Sequence, residues 1–245
     1  MIEIKSFGSG SSGNFALIKN ENTKLLLDCG FPINKIIKDL GKEKILITDI
    51  DSVLTTHAHT DHSMAINHIN DYDIPIYCSQ QLIDKFKLSN ATSLKGLRRL
   101  TINSIDIIPF DVQHGDCECY GFIFHDKDSL ILFATDFMLM RQDLSAFPFT
   151  EIYIETNYLE SKMEECLNNP YTSDMQRIKH HRQINTHTSM ENSVRYLKTL
   201  NLSKCKKIVG IHLSKELANI SKIKTYIYTN FNIPTYCLNA KGELI

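Results

Sequence analysis

The chain has 245 residues, of which 42% are hydrophobic and 22% are charged, and its formal net charge is -1. This length suits one large domain, and the apolar fraction is typical of globular rather than disordered proteins. The near-neutral charge argues against a protein that coats nucleic acid through a large basic surface. No apolar run is long enough to span a membrane, and neither a CxxC pair nor a signal-peptide pattern is present. We therefore expect a cytoplasmic protein with reduced cysteines.

Short apolar strands alternate with helical patterns along the whole chain. The first part predicts strands at Ile2–Phe7, Phe15–Ile18 and Lys24–Leu27, a helix at Asn34–Leu40, a strand at Ser52–Thr56, a helix at Ser63–Asn70, and strands at Ile76–Cys78, Leu97–Ile102, Ile105–Phe110, Tyr120–Phe124 and Leu130–Ala134. The second part predicts strands at Glu151–Glu155, Lys207–Ile211 and Thr235–Leu238, with helices at Asp174–Arg182, Glu191–Leu200 and Lys215–Phe231. Because no repeat or linker interrupts this pattern, we expect one layered α/β domain over residues 1–245.

The segment Thr56–His62 concentrates three histidines and one aspartate directly after a predicted strand. His57 and His59 are two residues apart, so in an extended backbone they project to the same side. Asp61 and His62 follow where the chain turns into a helix. Neutral imidazole and carboxylate groups are ligands that Zn²⁺ and Mn²⁺ accept. A solvated polar loop is the alternative, but such tight clustering after an apolar strand favours a metal site.

Three further residues of the same chemical type each follow a strand-like run, namely His114, Asp136 and His212. Taken singly, each is typical of a capping or surface residue. In layered α/β folds, however, functional sites gather at one end of the strands. We therefore expect these side chains to converge on the histidine cluster.

These residues, in this order and with the preceding LDCG sequence at Leu27–Gly30, resemble the metallo-β-lactamase superfamily. The resemblance implies a four-layer αββα sandwich with two divalent metal ions, Zn²⁺ or Mn²⁺, and a hydroxide between them as nucleophile. It implies that one metal is bound by His57, His59 and His114 and the other by Asp61, His62 and His212. Asp136 would bridge the two metals, and Asp28 would orient the ligands without binding a metal itself. An aspartate at the bridging position makes antibiotic hydrolysis an unexpected activity, because true β-lactamases have cysteine there.

The glycine-rich segment Gly8–Asn14 is similar to the opening of the YycJ (WalJ) branch of this superfamily, whose members are described as 5′-to-3′ DNA exonucleases. We expect the backbone of such a loop to approach a phosphate closely. The candidate phosphate contacts are Ser11, Ser12, Asn14 and Ser214. An ordinary glycine-rich turn between two strands is the alternative interpretation.

The segment Arg182–Ser189 resembles the part of that branch that carries an additional histidine, here His187. We assign catalytic roles to His187 and Asp61. Thr188 and Glu191 fit a capping box, which predicts a helix start and an anion site beside His187. Thr188 departs from the leucine that is usual in the branch.

The leading hypothesis is a two-metal phosphodiesterase that acts on nucleic acid, trimming DNA from a 5′ end. Two cations can activate a water and neutralise the charge that develops on a phosphoryl group. A phosphodiesterase for small cyclic or linear nucleotides is the first alternative, which the low net charge and a homodimer with a shared lid would favour. A thioester or lactone hydrolase that resembles glyoxalase II, and a metal-binding module without turnover, are further alternatives.

Overall fold

Two β-sheets form the centre of the protein, which a computed structural model describes over residues 1–245. The first sheet has six strands in sequence order, β1 (Glu3–Gly8), β2 (Phe15–Lys19), β3 (Lys24–Leu27), β4 (Ser52–Leu54), β5 (Ile76–Cys78) and β6 (Ala91–Ser93). Strands β1 to β3 are antiparallel, whereas β3 to β6 are parallel.

The second sheet has seven strands, also arranged in sequence order. They are β7 (Leu100–Ile102), β8 (Ile105–His114), β9 (Cys117–His125), β10 (Leu130–Ala134), β11 (Glu151–Glu155), β12 (Lys207–Ile211) and β13 (Thr235–Cys237). Strands β7 to β10 pair antiparallel and β10 to β13 pair parallel. Leu25 and Leu27 of β3 share a buried cluster with Phe122 and Phe124 of β9, so the two sheets pack face to face.

Eight helices cover the outer faces of the sheets. They are α1 (Ile33–Lys42), α2 (Thr60–Ser63), α3 (Ile66–Asp71), α4 (Gln80–Phe86), α5 (Glu160–Asn168), α6 (Asp174–Thr186), α7 (Met190–Leu197) and α8 (Ile220–Phe231). Ile36 of α1 and Ile66 of α3 are buried against the first sheet, and Val194 of α7 and Ile227 of α8 against the second. The predicted αββα sandwich is therefore confirmed. None of these helices combines the length and apolarity needed to cross a bilayer.

The structure corrects several predicted elements. The helix expected at Ser63–Asn70 is divided into α2 and α3, because the amide of Ala65 donates to the carbonyl oxygen of Cys29 (2.9 Å) instead of continuing the helix. The helix expected from Lys215 begins only at Ile220, where the side chain of Asn219 accepts a hydrogen bond from the amide of Lys222 (3.0 Å). Strand β6 and helices α4 and α5 were absent from the predicted elements.

Candidate metal centre

The strand ends bring the predicted ligands to one edge of the sandwich. Asp28, Asp136 and His212 follow β3, β10 and β12. His114 is the last residue of β8, which runs in the same direction as β10 because both are antiparallel to β9. His57 follows β4, the parallel neighbour of β3. Since parallel strands end at the same edge, the topology alone places these side chains together.

His57, His59 and His114 form a first cluster. Nε2 of His57 lies 2.9 Å from Nδ1 of His59, which lies 3.2 Å from Nε2 of His114. Nδ1 of His114 donates to the carbonyl oxygen of Thr186 (2.6 Å), which leaves its Nε2 lone pair on the cluster side. Burial, reinforced by the nearby His62, holds the pKa of His57 well below its usual range. The ring is therefore neutral, which is the form that binds metals.

Asp61, His62 and His212 form a second cluster, which Asp136 joins to the first. Nε2 of His62 lies 3.8 Å from Oδ2 of Asp61 and 3.2 Å from Oδ2 of Asp136. Nε2 of His212 lies 3.5 Å from Oδ1 of Asp136. Ligand atoms of His57, His62 and Asp136 also lie within 4.8 Å of one another, so Asp136 faces both clusters.

The donors of the two clusters fit a pair of divalent cations. Nε2 of His212 is buried and has no hydrogen-bond partner in the protein, although buried polar atoms normally have one. Three imidazoles on one side, with imidazoles and carboxylates on the other, form a set that suits Zn²⁺ or Mn²⁺. Asp136 has one oxygen near His62 and the other near His212.

A buried network behind the second cluster orients His62. Oδ2 of Asp28 accepts a hydrogen bond from Nδ1 of His62 (2.7 Å), while Oδ1 accepts from the amide (2.8 Å) and hydroxyl (3.0 Å) of Thr56. With Nδ1 held in this way, Nε2 of His62 points to Asp136. Such contacts fix the orientation and tautomer of ligand histidines.

Three residues of the centre have left-handed backbone conformations. The φ angles are 62° at Asp28, 51° at Asp136 and 54° at His212. Each such residue other than glycine costs about 1–3 kcal/mol, a strain that proteins concentrate at functional sites. Here each conformation ends the extended run of a strand and turns the side chain towards the common edge.

Glu155, which the sequence analysis did not single out, connects the centre to His187. Its Oε1 lies 2.7 Å from Nδ1 of His187 and 3.0 Å from Nδ1 of His212, and its Oε2 accepts a hydrogen bond from the amide of Phe137 (2.9 Å). The carboxylate is completely buried. Glu155 is the last residue of apolar strand β11, as His114 is the last residue of β8. This position at a strand end is the sequence feature from which Glu155 could have been predicted as a site residue.

His187 lies at the carboxyl end of α6, and the predicted capping box at Thr188 and Glu191 is wrong. The following helix α7 is capped by Ser189, whose Oγ accepts a hydrogen bond from the amide of Asn192 (3.0 Å). Thr188 is buried, and its carbonyl oxygen accepts from the amide of Asn157. The prediction that a helix begins just after His187 is therefore correct, but the residue that caps it is Ser189 and not Thr188.

The protonation of His187 is set by its acidic neighbours. Burial disfavours the charged ring, but the carboxylates of Glu155 and Asp136 outweigh it and raise the pKa of His187 to about 9. The two carboxylates thus favour the protonated form of His187. Because Nδ1 donates to Glu155, Nε2–H is the donor that remains for a ligand in the adjoining cavity.

The glycine-rich loop Gly8–Asn14 lies directly against the centre. Gly10 and Gly13 have φ angles of 142° and 140°, which favour glycine. Oγ of Ser9 accepts a hydrogen bond from the amide of His212 (2.9 Å). The loop therefore supports a metal-ligand candidate in addition to bordering the cavity.

The four predicted phosphate contacts divide into two groups. Ser11, Ser12 and Ser214 line the cavity. Asn14 is instead buried, and its Nδ2 donates to the carbonyl oxygen of Gly10 (3.0 Å) and lies 2.9 Å from Nε2 of His62. Asn14 thus holds the loop to the centre and does not face the cavity, which corrects the expectation of a direct phosphate contact.

An open cavity of about 720 Å³ lies over the centre. Only Met64 and Leu213 among its 19 lining residues are hydrophobic, and none is aromatic. Lys179 and Arg182 of α6 and Lys215 lie on its wall. This lining is suited to an anionic, hydrophilic substrate.

The chain matches the model of the beta-lactamase superfamily domain over residues 23–213. It is 28% identical to the exodeoxyribonuclease YycJ of Bacillus anthracis over 144 residues, which covers 55% of this chain and 54% of that protein. It is also 28% identical to the exodeoxyribonuclease WalJ of Streptococcus pneumoniae over 145 residues, with 54% of each covered. The chain thus spans about half the length of these curated relatives.

The fold is similar to the crystal structure of the metallo-beta-lactamase fold protein YhfI from Bacillus subtilis. The TM-score is 0.75 at 16% identity, and the similarity covers 100% of this chain and 99% of that one. The comparisons confirm the predicted resemblance to the metallo-β-lactamase superfamily and to its YycJ/WalJ branch. The chain belongs to the beta-lactamase superfamily, with the metallo-β-lactamase fold and with relatives in the YycJ/WalJ branch.

Proposed function

We propose that this protein is a two-metal phosphodiesterase that removes nucleotides from the 5′ end of DNA. The observation that carries the proposal is the pair of ligand clusters joined by Asp136 beneath a hydrophilic cavity with lysine and arginine on its wall. The similarity to two exodeoxyribonucleases supports DNA as the substrate class.

The ligands divide between two sites in this proposal. His57, His59 and His114 would hold one cation and Asp61, His62 and His212 the other, with Asp136 between the two clusters. When bound, the two cations supply an activated water and neutralise charge on the phosphoryl group. Imidazole and carboxylate donors accept either Zn²⁺ or Mn²⁺.

The protein itself supplies the proton transfers. Asp61 lines the cavity with a partly exposed side chain, so its carboxylate can accept a proton from the attacking water. His187, held as an imidazolium by Glu155, donates the proton from Nε2 to the leaving oxygen. The scissile P–O bond breaks as the bond from the water oxygen to phosphorus forms, and the departing sugar oxygen leaves as a hydroxyl.

The acid role of His187 is tested by the leaving group. His187→Ala should reduce kcat on a dinucleotide by about 10²- to 10⁴-fold, because a sugar alkoxide needs a proton to leave. The same variant should lose far less on the p-nitrophenyl ester of thymidine 5′-phosphate, since a nitrophenolate leaves unprotonated. Equal losses on both substrates would remove the acid role from His187.

The function itself is tested by a paired hydrolysis assay with Mn²⁺. Purified protein is given a 5′-phosphorylated DNA strand and, separately, 3′,5′-cyclic mononucleotides, with Asp61→Ala as the inactive control. We expect stepwise release of nucleotides from the 5′ end. Hydrolysis of the cyclic nucleotides alone would refute the exonuclease.

The small-nucleotide phosphodiesterase is the second candidate. The cavity volume of about 720 Å³ is in the range of pockets that enclose one small ligand, and the net charge of -1 is low for a nuclease. Against it, such pockets are usually lined by apolar side chains and by Phe, Tyr or Trp, whereas this cavity has only two hydrophobic lining residues and none of those three types.

A further inference from the structure

One face of α6 extends from the metal centre to the protein surface. Since a helix turns about 100° per residue, Met175, Ile178, Lys179, Arg182 and Thr186 lie within an arc of about 100°. The last three of these residues line the cavity. Met175 and Ile178, farther from the centre, are 79% and 68% exposed. We call these five residues the α6 strip.

The opposite face of α6 attaches the helix to the protein. His180 is buried, and Ile184 packs against the small apolar cluster beneath α5 and α6. The guanidinium of Arg177 donates to carbonyl oxygens at the end of α5. Most of the surface of Met175 and Ile178 is therefore not used in packing α6 against the protein. Large apolar side chains grouped in this way on a solvent-facing surface indicate a binding site.

The part of the strip nearest the centre carries cations that are available to a ligand. Arg182 makes no ion pair with any carboxylate, and Lys179 pairs only with Glu216 (2.8 Å), where both side chains are more than half exposed. Such an exposed pair is held weakly. The carbonyl oxygen of Thr186 accepts a hydrogen bond from His114, so the strip ends directly beside the first cluster.

We infer that the α6 strip binds a single-stranded segment of the substrate next to the scissile phosphate; this inference rests on the proposed function. Arg182 lies seven positions after Met175, a distance of about 10 Å along the helix, or about three stacked nucleotides. Arg182 and Lys179 contact the phosphates, and Met175 and Ile178 pack on the faces of the bases. Contacts with base faces do not depend on base identity.

The inference is tested by substrate length. The kcat/KM values are measured for 5′-phosphorylated strands of two and six nucleotides with the wild type, Met175→Gln/Ile178→Gln and Arg182→Gln. In both variants the preference of the wild type for the longer strand should fall about tenfold, because apolar contacts with bases or ionic contacts with phosphates beyond the first nucleotide are lost. Arg98→Gln and Tyr228→Gln are matched controls, since both side chains are exposed and neither lines the cavity. They should keep the wild-type preference.

Binding provides a readout without turnover. In an Asp61→Ala background with Mn²⁺, fluorescence anisotropy of a labelled six-nucleotide strand should show about tenfold weaker binding after Met175→Gln/Ile178→Gln. An unchanged length preference and unchanged binding would overturn the inference while the exonuclease activity stands. A shift from dimer to monomer in the double variant, with the preference unchanged, would assign the strip to a second copy and overturn it too. If the wild type hydrolyses neither strand, the proposed function itself fails.

Discussion

The completely buried carboxylate of Glu155 pairs with the partly exposed imidazole of His187, with 2.7 Å between Oε1 and Nδ1. Glu155 also reaches Nδ1 of His212 at 3.0 Å, so one carboxylate contacts both a metal-ligand candidate and the proposed proton donor, His187. Strands β11 and β12 are parallel neighbours, and Glu155 lies opposite Ile211. His212 follows Ile211 directly, so its side chain comes close to Glu155. The proposed proton donor, His187, and the second ligand cluster therefore share one buried carboxylate.

Glu155→Gln should reduce kcat by about 10- to 100-fold, as is typical when a residue that orients ligands is replaced. Removal of the negative charge lowers the pKa of His187 from about 9, so the loss of activity with rising pH should begin at a lower pH than in the wild type. The pH profile of kcat measures both effects. Glu151→Gln, in the same strand but paired with Lys207 at its other end, should leave the profile unchanged. An unshifted profile in Glu155→Gln would contradict the pairing.

Asp61→Ala should abolish hydrolysis and preserve the fold. The structural contacts of Asp61 are made by its backbone, whose carbonyl oxygen accepts a hydrogen bond from the amide of Asn14 (2.8 Å), and alanine keeps that group. Thermal unfolding and the rate of strand hydrolysis are the two measurements, with the exposed Asp71→Ala as control. Wild-type rates in Asp61→Ala would remove this carboxylate from the mechanism.

Gly30→Ala should displace Asp61 and reduce both stability and activity. A Cβ atom at Gly30 would lie 1.7 Å from the carbonyl oxygen of Asp61, so the backbone there must move. Gly41→Ala is the matched control, because its Cβ would meet no atom within 4 Å in helix α1. That control should stabilise the protein by about 0.5–1 kcal/mol. Chemical denaturation measures the free energy of unfolding of both variants. Equal values would contradict the close approach of Gly30 to the carbonyl oxygen of Asp61.

The sequence predicts much of this site because its residues follow a simple local rule. His57, His114, Asp136 and His212 each stand at the end of an apolar run, and such ends meet at one edge of a sheet. Glu155 obeys the same rule but was overlooked, since a glutamate at a strand end is more often solvated than buried.

Other features depend on contacts between distant segments, which local patterns do not contain. Asn14 is held in a buried position by hydrogen bonding to Asp61, 47 positions away, which the sequence pattern does not contain, so the sequence alone suggested a phosphate contact. Helices α4 and α5 have few apolar residues, and only Leu82 and Met163 in them are buried, so their periodicity was too weak to detect. The break between α2 and α3 likewise depends on the carbonyl oxygen of Cys29.

The most direct test of the proposed two-metal centre is to count the bound metal ions and to compare their number with the rate of turnover. Native mass spectrometry of the protein titrated with Mn²⁺ is compared with the rate of 5′-strand hydrolysis at each occupancy, starting from chelator-treated protein. We expect two bound ions, activity that appears with the second, and one ion in His57→Ala and in His62→Ala alike. Full activity with a single bound ion, or after complete chelation, would contradict a two-metal centre.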